Sequence, residues 1–432
     1  MGRRRNAELG LVILAGLITV GLYILESLGG RASLPAGIGP FLGVVLGLMV
    51  FAHLAVRRLA PMADPSLLPL ALVLNGIGFA TIVRLNDRLA ANQAVWTLLG
   101  VAAFVVTLIL VRDVHHLARY RWTIALVGLV LLVAPLVPGL GRTINGARLW
   151  IVVGPVSIQP GEFARVALTI FVASYLVEKR ELLSMATRRI GAVSIPDPKH
   201  LGPVALAWVA SLLVMVAERD LGSSLLLFAV FLVMVWLATG RAWYPVVGSG
   251  LFLAGAFGAW SMFEHVQARV RIWVNPWADV TGEGFQIVQG YFALASGGLT
   301  GAGPGLGSPE RIPARETDFI FAVIGEELGL IGATAVLIAF LLIVGAGLRT
   351  AIRSRDEFTS LLAAGLTVGL GIQAFIIIGG VLRVVPLTGI TLPFVSYGGS
   401  SLLANYILLA LLVRLSDSAT VVSRTEAAET IR

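Results

Sequence analysis

The sequence contains no cysteine, which excludes disulfides, thiolate zinc centres and cysteine nucleophiles. Charge is scarce too. Asp, Glu, Lys and Arg make up 13% of the 432 residues, against 57% hydrophobic residues, about half the charged share of a soluble chain. Apart from one connection near residues 264–318, no polar segment is long enough for an ordinary soluble domain. A soluble enzyme, a secreted hydrolase and a nucleic-acid binder are therefore excluded, and the mean hydropathy of +0.90 places the chain in a membrane. The net charge of +8 fits juxtamembrane arginines facing anionic lipid better than a nucleic-acid groove.

At about 20 residues per crossing, the apolar stretches predict twelve spans, at 9–29, 38–59, 66–84, 93–112, 120–138, 161–178, 201–218, 221–240, 242–263, 319–347, 360–383 and 399–414. Met1–Asn6 carries three arginines. The apolar stretch that follows is long and lacks a small-residue cleavage site, so a retained first helix is expected rather than a signal peptide. With the N-terminus cytoplasmic, most cations fall on one side, among them Arg57, Arg58, the 179–199 connection and the C-terminal tail. The positive-inside rule then predicts both termini in the cytoplasm, in the inner membrane. The Ser184–His200 connection is expected to rest on acidic lipid, and the short polar tail after Ser416 to be disordered. No fixed-period repeat pairs the two halves, so an inverted-repeat transporter gains no support.

The remaining cations fall in outer connections or outward helix ends, and all are arginine. They include Arg148, Arg165, Arg219, Arg269 and Arg383, near acids such as Glu162, Asp220, Asp318 and Glu326. Charge at that depth requires a partner or a watery cavity. One reading is a set of structural ion pairs. The other is an outward-facing site for an anionic, membrane-bound molecule, since the planar guanidinium fork suits phosphate.

Five constellations could carry chemistry, one of them Glu218-Arg219-Asp220, three adjacent charges in an outer turn that either compensate one another or meet water or a ligand. In the 264–318 connection, Trp273, Pro276 and Trp277 would sit at headgroup depth and hold Asp279 at the membrane surface. There Asp279 could act as a general base or close an Asx turn ahead of Thr281-Gly282. Gln286, in the same connection, is counted with the substrate-binding candidates. The glycine run 301–307 lacks the strand and the Lys-Ser/Thr of a nucleotide loop, so it is expected to serve as a hinge or to allow close backbone approach. Glu162 and Arg165, at i,i+3 near the start of the sixth span, form either an ion pair or a substrate contact. The Ser396–Ser401 stretch precedes the last span; Ser396 and Ser400 either cap it or, with Arg383, bind pyrophosphate at its N-terminus.

Several runs together resemble the SEDS family (RodA, FtsW, SpoVE). They are Asn145–Trp150, Gln159–Phe163, Glu218–Gly222, Asn275–Asp279, Thr317–Phe321, Gly325–Gly329 and Ser396–Ser400, in the expected order over about 140–415. The resemblance implies an all-α polytopic membrane protein. Residues 1–118 would hold the N-terminal helices, including two beyond the family's core of about ten; 119–415 would form the core with its extracytoplasmic loop, and 416–432 a cytoplasmic tail. The extra helices look most like the actinobacterial RodA branch, which implies a role in elongation rather than division. The resemblance further implies a peptidoglycan glycosyltransferase that polymerises lipid II, partnered by a class B penicillin-binding protein, with Asp279 as the essential residue. Arg165 stands where the family has lysine, so charge is kept but proton exchange is not.

On this reading Asp279 takes a proton from an acceptor hydroxyl while an undecaprenyl pyrophosphate leaves. Arg148, Arg165, Arg219, Arg383 and the Ser396–Ser401 helix end would steady its charge. Mg²⁺ or Mn²⁺ could bridge the pyrophosphate to a carboxylate, although no spacing identifies a metal site. The competing readings are a lipid II flippase, a division-specific FtsW-type polymerase and a scaffold. A flippase needs charges reaching the inner leaflet, whereas 225–238 and 331–346 are uniformly apolar, which favours the enzyme.

Overall fold

In lipid every backbone N–H and C=O must be satisfied internally, so long apolar runs become helices. The computed structural model describes residues 2–32, 38–144, 147–154, 156–184, 188–190, 193–195, 202, 209, 213 and 221–430. Its helices are α1 (Gly2–Arg31), α2 (Ile38–Leu59), α3 (Leu67–Leu85), α4 (Asp87–Leu110), α5 (His115–Arg119), α6 (Arg121–Val133), α7 (Pro160–Ser184), α8 (Leu221–Thr239), α9 (Trp243–Met262), α10 (Glu264–Val274), α11 (Phe285–Gly297), α12 (Ile320–Arg353), α13 (Glu357–Val381) and α14 (Gly399–Thr430). Among the described residues, ten helices are long and apolar enough to cross a membrane, and a shorter apolar helix covers Arg121–Leu136. The expected span at 201–218 lies almost entirely outside the described residues. The multi-pass, all-helical architecture is thus as expected, with small sheets confined to connections. Strands β1 (Gly141–Ile144), β2 (Ala147–Val153) and β3 (Val156–Ile158) form an antiparallel sheet in that order, and β4 (Arg188–Ile190) pairs with β5 (Val193–Ile195).

Two departures have simple causes. The tail expected to be disordered continues α14 to Thr430, because Ser416–Thr430 contains neither glycine nor proline to stop it. The 264–318 connection, expected as one large extracytoplasmic loop, holds two helices, α10 and α11.

The chain divides into two compact units. The first comprises Met1–Leu110, Glu264–Ala346 and Gln373–Ser418. Its interior is built on α3 and α14, each with 83% of its apolar window buried. Gly78 of α3 lies against the Val395 backbone where a Cβ would collide, and Asn75 donates to the Tyr406 hydroxyl at 3.1 Å. The second comprises Val111–Phe263, Gly347–Ile372 and Ala419–Arg432. Here Leu132 of α6, Ala164 and Leu168 of α7 and Leu227 of α8 make a buried cluster, flanked by Trp122, Phe171 and Tyr175, whose rings lie 5.3–6.1 Å apart.

Candidate active site

Asp279 is placed by the way α10 ends. Asn275 accepts a hydrogen bond from the Trp277 N–H through its side chain, and Pro276 opens a single 3-10 turn, Pro276–Asp279. Proline suits that first position because its missing N–H has no partner to lose. Asp279 then ties the next turn together. One carboxylate oxygen accepts from Gly282 N at 3.0 Å and the other from Glu283 N at 2.9 Å. A Cβ on Gly282 would run into this carboxylate, so a larger residue there would push the carboxylate from its place. The Asx-type turn is therefore real, yet the side chain remains exposed, and each oxygen keeps a second lone pair.

The surrounding loop is fastened to the segment after α13. Arg269 and Trp273, one helical turn apart on α10, reach the same stretch. Arg269 donates to the Leu387 and Thr388 carbonyls at 2.9 and 2.8 Å, and Trp273 Nε1 to the Arg383 carbonyl at 3.2 Å. The Arg383 guanidinium lies 5.8 Å from the Tyr291 ring centre, and the Trp277 ring lies tilted beside Tyr291 and edge-on to Phe292. Among the described residues no carboxylate lies within ion-pair distance of Arg383.

Between these elements lies a cavity of about 220 Å³. Arg269, Glu283, Gln286 and Asp318 supply its polar wall, and Ile272 and Ile287 its apolar one. Gln286 donates to the Pro313 carbonyl at 3.2 Å. Burial pushes the Asp318 carboxyl up to about 6, opposed by a hydrogen bond from Thr317 and by the Arg269 charge. Ser396 anchors this stretch: its hydroxyl donates to the Thr317 carbonyl at 2.6 Å and accepts from Leu392 N at 2.9 Å. Ser396 and Ser400 are both buried, at 4% and 2% exposure, so neither hydroxyl stands open at the helix end.

The glycine run packs against a broken helix. Inside α12, Gly329 takes φ 66° and ψ −166°, a conformation essentially confined to glycine. The break lets Leu330 N and Ile331 N reach the Gly298 and Leu299 carbonyls, while Ala302 N and Gly303 N reach those of Glu326 and Glu327. Cβ atoms on Gly301 or Gly305 would strike backbone carbonyls, so these glycines permit close approach rather than a free hinge. Glu326 accepts from Ser308 N at 3.0 Å and Glu327 from Gly305 N at 2.8 Å, with Arg84 beside Glu327 at 3.8 Å. Glu326 thus holds the loop in place.

In the second unit, Glu162 and Arg165 form a buried ion pair at 2.8 Å. Arg148 on β2 donates to the Val137 carbonyl at 3.1 Å. Arg219 and Asp220 lie outside the described residues. Among the described residues, no group of three or more His, Asp or Glu side chains could hold a metal ion by itself; a cation bridging pyrophosphate to one carboxylate needs no such group. Residue patterns gave little warning that Arg269 and Asp318 line one cavity. The available signal was a lone aspartate, Asp318, directly before a long apolar helix.

Residues 65–421 match the cell cycle protein family FtsW/RodA/SpoVE. The chain is 47% identical to peptidoglycan glycosyltransferase RodA of Mycobacterium tuberculosis over 427 residues, covering 96% of this chain and 91% of the relative. It is 35% identical to the stage V sporulation protein E of Bacillus subtilis, covering 72% of this chain and 83% of that protein. Among solved structures, a chain of a peptidoglycan synthase complex that coordinates polymerization and crosslinking matches with TM-score 0.69 and 28% identity, covering 83% of this chain and 98% of that one. RodA of Thermus thermophilus matches with TM-score 0.57 and 26% identity, covering 82% and 96%. With a family match spanning most of its length and relatives this similar, the chain belongs to the FtsW/RodA/SpoVE family.

Proposed function

We propose that this protein is a peptidoglycan glycosyltransferase that polymerises lipid II at the outer face of the cytoplasmic membrane, with both termini in the cytoplasm. The observation that carries the reading is the 47% identity along 96% of the chain to enzymes named for that activity. Division-type FtsW relatives reach 33%, which favours elongation and cell shape.

In the proposed step, Asp279 accepts the proton of the acceptor's N-acetylglucosamine 4-hydroxyl as its oxygen attacks the donor's anomeric carbon. The carbon inverts, its bond to the pyrophosphate oxygen breaks, and undecaprenyl pyrophosphate departs with the electron pair. The exposed Asp279 carboxylate, with a lone pair left on each oxygen, supports this role. Arg383, held beside Tyr291 and without a carboxylate partner among the described residues, is the group in the same unit best placed to meet phosphate charge. Arg148, Arg165 and Arg219 remain candidates for the same work. A class B penicillin-binding protein is the expected partner, in keeping with the structural match to a chain from a synthase complex.

The test uses purified full-length protein with its transpeptidase partner and lipid II, following glycan chains by electrophoresis. Asp279→Ala is expected to lower the rate by about 10²–10⁴-fold, the usual worth of a general base. Chains formed at the wild-type rate would reject the assignment.

A further inference from the structure

We propose that the cavity walled by Arg269, Glu283, Gln286 and Asp318 is a saccharide subsite that takes one N-acetylhexosamine ring of the substrate, with Asp318 accepting its hydroxyl hydrogen bonds. The inference rests on the glycosyltransferase reading and adds to it the residues that hold the sugar.

Three observations carry it. First, the walls match the two faces of a pyranose. Ile272 and Ile287 offer apolar surface for ring C–H groups, while Gln286 and Asp318 present planar polar groups suited to vicinal hydroxyls. The Gln286 amide nitrogen is committed to the Pro313 carbonyl, which turns its oxygen into the free acceptor. Second, the size fits a single ring: about 220 Å³ is the space of roughly seven waters. Third, the cavity adjoins the proposed base through one turn of chain, since Glu283 lines it and its N–H is bonded to Asp279. A sugar bound there lies within reach of the Asp279 turn without any rearrangement of α11.

Asp318 is held for this task. Thr317, whose carbonyl receives the Ser396 hydroxyl, fixes the chain next to it. Arg269 is in turn fixed by the Leu387 and Thr388 carbonyls. Gly389, at φ 79°, leaves the floor open: a Cβ there would project toward both the Arg269 guanidinium and the Asp318 carboxylate, 3.8 Å from each. A carboxylate kept partly buried with a cationic neighbour makes a charge-assisted hydrogen bond to a hydroxyl, about twice as strong as a neutral one.

The experiment uses the full-length protein with its transpeptidase partner and, as probe, the soluble disaccharide GlcNAc–MurNAc-pentapeptide, which lacks lipid and pyrophosphate. The disaccharide is expected to compete with lipid II in the wild type. In Asp318→Asn its inhibition constant and the KM for lipid II should both rise at least ten-fold, with a smaller change in kcat, and Asp318→Glu should recover part of the loss. A merely structural role would lower the active fraction and leave the inhibition constant unmoved. If Asp318→Asn does not accumulate as folded protein, Gln286→Ala is decisive, with an expected rise of several-fold. An inhibition constant equal to wild type in the folded variants, or no competition by the disaccharide in the wild type, overturns the subsite. Polymerisation that survives Asp279→Ala overturns the catalytic assignment instead, so the two failures are told apart.

Discussion

Replacing Asp318 by asparagine is expected to stabilise the folded protein at neutral pH even as it weakens substrate binding. Burial raises this carboxyl from its ordinary 3.8 to about 6, with Thr317 and Arg269 opposing the shift. Between those values the folded state keeps a proton that the unfolded chain has released, so stability falls as pH rises. The stabilisation is complete below pH 3.8 and gone once the pH has passed about 6. At about 1.4 kcal/mol per pH unit, the loss comes to about 3 kcal/mol. Asparagine has a similar shape and does not titrate, so at neutral pH it recovers up to about 3 kcal/mol. The shift to about 6 already includes the opposing attraction of Arg269, which asparagine gives up together with the burial penalty. Arg269 retains its two carbonyl partners, so no buried cation is abandoned. Thermal unfolding scans of the full-length protein in detergent, at about pH 4 and about pH 7.5, measure the effect. Other carboxylates titrate in the same window, so the quantity to read is the variant minus wild type. A variant less stable than wild type at the higher pH, with the same pH slope, would refute the reasoning.

Two further perturbations probe the frame around the site. Gly329→Ala forces an L side chain into φ 66°, ψ −166° and drives its Cβ into the Gly301, Leu299 and Thr300 backbone. It should cost at least about 3 kcal/mol and sharply reduce accumulation of folded protein. Gly345→Ala, on the same helix with nothing within 4 Å of its Cβ, should be neutral or slightly stabilising; equal outcomes for the two would contradict the role given to the break. Glu162→Gln leaves Arg165 buried without its partner and should destabilise by about 3–5 kcal/mol, whereas Glu162→Leu with Arg165→Met should be nearly neutral in stability. Polymerisation by that folded double variant assigns the pair to structure, and its loss assigns the pair to substrate.

The helices were legible because lipid leaves the backbone few options and hydropathy reports burial in lipid directly. Hydropathy is blind to the sign of φ, so the break at Gly329 was hidden inside an apolar run read as one continuous span. Glu326 and Glu327, two acids inside that run, were the visible trace of it, since their carboxylates receive the N–H groups that the glycine loop brings close. The helix α11 was masked for a different reason. Glycine disfavours a helix interior, whereas here Gly290 and Gly297 serve packing against Phe319 and the Gly325–Glu326 backbone. Asp279 could be singled out from the sequence, and so could its alternative use in a turn; the structure shows the turn and leaves the carboxylate exposed. The cavity was not legible, because Arg269, Asp318 and residues 387 and 389 lie far apart in sequence and come together only in the fold.

The loop is held by donors that the sequence must specify and by acceptors that it need not. Arg269, Trp273, Gln286 and Ser396 each give a side-chain hydrogen bond to a main-chain carbonyl, at Leu387 and Thr388, Arg383, Pro313 and Thr317 respectively. Every residue supplies a carbonyl, so the side chain of an acceptor such as Leu387 or Thr388 can change without loss of the bond. Removing Arg269, Trp273 or Ser396 leaves a partly buried carbonyl unpaired, at about 1–3 kcal/mol, and frees α10 or the Asp318 stretch to move. Side chains that take no part in the proton transfer thereby set where Asp279 and Asp318 stand, and the donors carry more of the site's geometry than the residues they hold.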